Sequence, residues 1–227
     1  MKIPILLLAA SFLPAQTPGI ATKILMQEPL GDTPQPNMSL SILNLNPGLT
    51  VPSHSHAGAV FAYILQGDIE NQIDPDPPNV YHPGGFFHER PLQVHRLLRS
   101  LSQTEPAKIL LLQNTGAPSA NAKPLIHEPL ANIPNQQVSM IGLVVAPGAA
   151  VSAHQHPGPV FAYVVKGEIE TQVDPDPPEV YRGGEAFYEP PLHARRLFRN
   201  LRKAEPAELI IFEVSEKGQP LATSPAQ

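Results

Sequence analysis

The chain contains no cysteine, which excludes disulfides, thiolate metal sites and thiol nucleophiles. Basic residues are few: 15 Lys and Arg stand against 20 Asp and Glu, for a formal net charge of −5. No basic stripe interrupts the chain, so a nucleic-acid partner is not indicated. Helical patterning is missing beyond the first residues. The 29 prolines, well above the usual share of about one residue in twenty, would break long helices and suit short strands joined by loops. The apolar run from Ile3 to Leu13 is shorter than the roughly 20 residues needed to span a bilayer. Preceded by Lys2 and followed by Leu13-Pro14-Ala15, it reads as a signal peptide over 1–15. That predicts a secreted or periplasmic protein with no membrane segment in its mature form. A lipid anchor is not expected, because no cysteine follows the run.

What is present is a repeat. Val51 to Tyr81 reads VPSHSHAGAVFAYILQGDIENQIDPDPPNVY, and Val151 to Tyr181 reads VSAHQHPGPVFAYVVKGEIETQVDPDPPEVY. The offset of 100 positions holds from about Lys23/Lys123 to about Gln113/Glu213. It divides the chain into a first unit (23–113), a linker of turn formers (114–122), a second unit (123–213) and a tail (214–227) expected to be frayed and disordered. Each unit has the ordinary size of one domain. The local signals are strand signals. Ser39 to Leu45 alternates polar and apolar before breaking at Asn46-Pro47-Gly48. Val60 to Leu65 is a continuous apolar run, and Gln66-Gly67 after it reads as a tight hairpin turn. Short strands at this turn spacing predict a sandwich or barrel.

In each copy two histidines stand one residue apart: His54 and His56, His154 and His156. Strand side chains alternate faces, so such a pair points one way and can grip one metal ion. In copy one the pair sits within a longer pattern: Gly48, five residues, His54-Ser55-His56, three residues, Val60, six residues, Gly67. Gly85, five residues, Pro91 and then His95 follow. This pattern resembles the two motifs of the cupin family, in which a glutamate is usual where Val60 stands. Copy two shows Gly148, His154, His156, Val160 and Gly167, then Gly184, Pro190 and Pro191, with Arg195 where the third histidine is expected. The resemblance covers nearly all of the mature chain, twice. It implies an all-β protein of two tandem cupin barrels, each a small antiparallel jelly roll, and so a bicupin.

Three imidazoles from His54, His56 and His95 would suit a divalent transition metal (Fe, Zn, Mn, Ni or Cu) and leave positions open for water or substrate. Without the motif glutamate the shell keeps the ion's full double charge, which favours a small anionic chelator as partner. Dioxygenase chemistry is known for three-histidine cupins, and by that analogy the chain is read as dioxygenase-like. The rivals are a ligand-binding or storage-like bicupin without catalysis, and a metal-free isomerase or epimerase using Tyr63 and His56. A homo-oligomer is compatible with the sequence. In copy two, either His193 replaces the missing ligand or the site is degenerate. Arg195 is read as a surface ion pair or, alternatively, as a clamp for a substrate carboxylate, since a guanidinium has no lone pair for a metal. Val60 is expected to form a dry wall beside the bound substrate. Phe61, Tyr63, Phe87, Phe161, Tyr163 and Phe187 are expected in the core. His82, His88 and His127 are read as surface or rim residues, and Glu89 and Glu189 as exposed turn carboxylates rather than partners of a ligand imidazole.

Overall fold

The structure is a computed structural model, and it describes residues 18–31, 37–115, 122–130 and 132–225. The predicted signal peptide and most of the predicted linker lie outside the described residues. Nineteen strands and no helix occur among those described. In copy one they are β1 (Ile20–Pro29), β2 (Asn37–Leu45), β3 (Thr50–Val51), β4 (His54–Ser55), β5 (Val60–Gln66), β6 (Ile69–Ile73), β7 (Asn79–Tyr81), β8 (Phe86–Glu89), β9 (Val94–Ser100) and β10 (Ala107–Gln113). In copy two they are β11 (Ala122–Pro129), β12 (Gln136–Val145), β13 (His154–Gln155), β14 (Val160–Lys166), β15 (Glu168–Val173), β16 (Glu179–Arg182), β17 (Ala186–Glu189), β18 (Ala194–Asn200) and β19 (Ala207–Glu216).

Each barrel is two antiparallel sheets packed face to face. In the first, the sheet β11-β2-β10-β5-β8 faces a sheet in which β9 pairs with β3, β4 and β6, and β6 pairs with β7. In the second, β1-β12-β19-β14-β17 faces β13-β18-β15-β16. The turn at Gln66-Gly67 is therefore not a hairpin. β5 pairs with β8 and β10, while β6 pairs with β7 and β9. Gly67, at φ 76°, instead turns the chain from one sheet into the other. Its missing Cβ leaves room for Ala107, whose Cα would lie 3.0 Å from that atom.

The opening strand of each copy crosses to the other barrel. β1 pairs along its length with β12, from Ile20 opposite Val145 to Pro29 opposite Gln137. β11 pairs with β2, from Ala122 opposite Leu43 to Pro129 opposite Asn37. The sequence repeat and the packing unit thus differ by one strand each way.

This exchange explains why β5 and β10 are apolar on both faces. Val60, Ala62 and Ile64 of β5 join Ile109 and Leu111 of β10 in the core inside the first barrel. Phe61, Leu110 and Leu112 point the other way, into a core shared with Met140, Phe161, Ile210 and Phe212 of copy two. The matched aromatics are core residues as expected, but they serve two cores. Phe61 and Phe161 fill the seam between barrels, Tyr63 and Tyr163 pack there too, and Phe87 and Phe187 lie inside their barrels. Fully burying a side chain of this size contributes about 1.5–3 kcal/mol.

As far as Pro225, the end of the described residues, the C-terminal segment is not frayed. β19 runs through Glu216, and beyond it Thr223 pairs with Gln155 by two backbone hydrogen bonds of 2.9 and 3.0 Å. Leu221 packs on the core of the second barrel. The polar composition of 217–225 misleads because one apolar anchor and main-chain pairing are enough to hold it.

Candidate metal centre

In the first barrel His54 and His95 lie directly opposite each other on the paired strands β4 and β9. Their ring centroids are 5.0 Å apart. His56 follows two residues after His54 on the same side, with its Nε2 3.1 Å from Nε2 of His54. One nitrogen from each of the three rings falls within 4.8 Å of the others, and this is the one such group of three His or acidic side chains among the described residues. The group can hold a metal ion. With metal–nitrogen bonds near 2.0–2.1 Å, neighbouring donors stand about 3 Å apart, which matches the His54–His56 spacing.

Hydrogen bonds prepare these rings for ligation. Nδ1 of His54 donates to the Pro52 carbonyl at 2.8 Å, so its proton is fixed there and its Nε2 carries a lone pair that faces His56. His95 is 2 % exposed. Its Nε2 faces Asn71 Oδ1 and lies 3.1 Å from the Leu97 carbonyl, which places the ring proton on Nε2. Nδ1 has no hydrogen-bond partner and lies 3.0 Å from Glu89 Oε1. Burial holds the His56 imidazole below its ordinary pKa, with Glu89 opposing that shift, so its neutral, ligating form persists to lower pH.

Glu89 corrects the sequence reading. It is not an exposed turn carboxylate: it is 3 % exposed and also lies 3.8 Å from His56 Nε2. β8 pairs with β5 so that Glu89 stands directly across from Val60, and opposed residues share a face. Its burial was missed because Glu-Arg-Pro reads as a turn, and only the β5–β8 register turns the carboxylate inward. Val60 is 2 % exposed within the barrel core, so it has no free surface as a wall for substrate.

The second barrel repeats the frame with a different occupant. Nδ1 of His154 donates to the Ser152 carbonyl at 2.7 Å, leaving Nε2 as an acceptor, as in copy one. That lone pair receives an N–H from the Arg195 guanidinium. Arg195 also donates to Glu189 Oε1 at 2.8 Å and lies 4.3 Å over the Phe198 ring. It is 5 % exposed, so it is neither a surface ion pair nor an open clamp for substrate. Burial, followed by the Arg195 charge, pushes the His154 pKa down to about 3. His156 donates through Nδ1 to the Leu221 carbonyl at 2.6 Å, with Glu213 Oε2 3.2 Å from the same nitrogen. Burial raises the Glu213 pKa.

The cupin domain family matches this chain twice, over residues 41–112 and 143–213. The chain belongs to the cupin family. No curated protein matches it. Among solved structures this bicupin is similar to the oxalate decarboxylase of Bacillus subtilis, studied for its Mn(II) centres, at 15 % identity and a TM-score of 0.63, covering 93 % of this chain and 80 % of that one. It is similar to AerE from Microcystis aeruginosa at 16 % identity and a TM-score of 0.61, covering 84 % and 97 %. A cupin 2 conserved barrel domain protein from Leptotrichia buccalis shares 16 % identity at a TM-score of 0.53, covering 89 % and 92 %. At these identities the likeness is one of fold.

The bicupin does not bring its remaining candidates to a metal site. His193 is exposed, and its Nδ1 donates to the Pro191 carbonyl at 2.9 Å. It lies in the turn before β18, where Leu192 adopts φ 61°, so the extended geometry that would align it with Arg195 is absent. His82 pairs with Asp68 at the surface, and exposed His127 bonds Ser39. His88 is not a rim residue: it is half-buried and stacks on Phe61 at a centroid distance of 4.5 Å.

Proposed function

We propose that the first barrel binds one divalent metal through His54, His56 and His95 and acts on a small, anionic, oxygen-rich compound that chelates the ion. The observation that carries this reading is the convergence of three imidazole nitrogens, with the His54 tautomer set by Pro52. Bound there, the metal would supply open coordination positions and Lewis acidity, and with a redox-active ion a dioxygenase-like reaction. The protein's part is to hold neutral imidazoles with their ring protons fixed by main-chain carbonyls, Pro52 for His54 and Leu97 for His95. The metal identity stays among Fe, Zn, Mn, Ni and Cu. The Mn(II) centres of the similar oxalate decarboxylase support manganese as the first ion to try, and a small carboxylate as the first ligand. The apolar segment Ile3 to Leu13 supports export as part of this reading.

A non-catalytic bicupin is the second reading, favoured by the second barrel, which fills its equivalent site with its own arginine. The metal-free isomerase finds no support. Tyr63 packs toward the seam between barrels, on the opposite face of β5 from the histidines' core.

Elemental analysis of the purified protein tests the proposal. One equivalent of metal is expected in the wild type and none in His54→Ala or His95→Ala. Wild-type protein that takes up no stoichiometric metal after anaerobic reconstitution sinks it. Oxygen uptake with organic acids, dicarbonyls and phenols then separates enzyme from binder.

A further inference from the structure

We infer that Glu89 is the fourth protein donor of the metal site, so that the carboxylate missing from β5 is delivered by β8 across the strand pair. The inference rests on the metal reading above and extends it to a residue outside the three-histidine group.

Four observations converge on Glu89. Its side chain is 4 % exposed, and its Oε2 has no hydrogen-bond partner. A buried carboxylate oxygen without a hydrogen-bond partner is disfavoured unless a cation or a proton donor joins it. Its Oε1 faces the Nδ1 of His95 at 3.0 Å, and the ring proton of His95 is held at Nε2 by the Leu97 carbonyl. Two acceptors face each other at the spacing expected of adjacent donors around one ion. Its Oε2 stands 3.8 Å from His56 Nε2, so the carboxylate spans the gap between two of the three ligands. Finally, the register Val60 opposite Glu89 recurs as Val160 opposite Glu189. In the second barrel that carboxylate takes a cation from within the chain, the Arg195 guanidinium at 2.8 Å. The same guanidinium donates to His154. Copy two thus shows what the frame of one carboxylate and a histidine pair is built to surround. Copy one has the frame, and His95 in place of the built-in cation.

The chemistry follows. Three neutral imidazoles and one carboxylate leave a divalent ion with a net charge of one. A hard oxygen donor favours Mn(II) or Fe(II) with six donors over a tetrahedral shell. Two positions then remain for a bidentate oxygen ligand.

Co(II) serves as the probe. Metal-stripped wild type, Glu89→Gln, the exchange variant Val60→Glu/Glu89→Val and His54→Ala are titrated, following affinity and the visible absorption of the bound ion. Circular dichroism checks that each folds. A fourth donor predicts that Glu89→Gln alters the spectrum of the bound ion as well as weakening binding, whereas loss of an outer-shell partner weakens binding alone, by about 10–100-fold. The exchange variant, which returns the carboxylate to the opposite strand, recovers most of the affinity. If Glu89 only orients His95, the Gln side chain leaves the spectrum unchanged, and the inference is overturned. Should Glu89→Gln prove unfolded, failure of the folded exchange variant to bind overturns it equally. If wild type and His54→Ala bind alike, the metal reading itself has failed, which is a separate result.

Discussion

One side chain decides the chemistry of each barrel. At position 95 a histidine leaves a ring nitrogen facing a buried carboxylate; at position 195 an arginine neutralises the matching carboxylate from inside. Guanidinium is planar, always charged and able to donate to two acceptors at once, and here it bridges Glu189 and His154. Removing it strands a carboxylate that is 1 % exposed. Arg195→Ala is therefore expected to cost about 3–5 kcal/mol of stability, read as a lower urea midpoint. A midpoint close to that of the wild type would contradict the internal ion pair. The substitution of histidine by arginine was plain in the sequence. That the arginine turns inward was not, because its direction depends on Glu189 standing across from Val160.

Elements here are shared rather than owned. The repeat identified two units of equal sequence, yet β1 completes the second barrel and β11 the first. Two near-equivalent strands fit either sheet edge, so pairing preference cannot tell exchange from self-closure. Chain connectivity in three dimensions decides it. The exchange has a measurable consequence. Deleting residues through Pro29 should bare the edge of β12, so amide hydrogens of Gln136–Val145 exchange faster while those of Asn37–Leu45 keep their protection. Hydrogen-exchange mass spectrometry reads the difference, and loss of protection confined to Asn37–Leu45 would count against the crossed topology. The apolar run of β5 gave the strand correctly and hid its two-sided burial, which only the seam of Phe61 and Phe161 makes intelligible.

The whole molecule is two barrel interiors joined by a third core between them, with one barrel carrying the three-histidine group. The second barrel is the more closed: the His156 side chain is 11 % exposed against 27 % for His56, and the segment through Thr223 lies against it. Its interior sets an acid limit on stability. His154 has a folded pKa of about 3 against 6.5 for the free side chain, so between those values the unfolded chain binds more protons. Its contribution is complete above pH 6.5 and is lost as pH falls toward 3. For the metal-free protein, the melting temperature should drop between pH 6.5 and 4, and less steeply in His154→Gln. Equal slopes would show that the site does not couple to folding.

The sequence alone determined the β class, the duplication, the family frame and the three histidines of the first barrel. Those follow from local periodicity and from residue types spaced on a single strand or short motif. Tertiary structure decided which barrel each opening strand joins, that Arg195 faces inward, that the C-terminal segment is held, and that Glu89 meets His95. Each of these depends on which residue stands opposite which across paired strands distant in sequence, and no local pattern encodes that register.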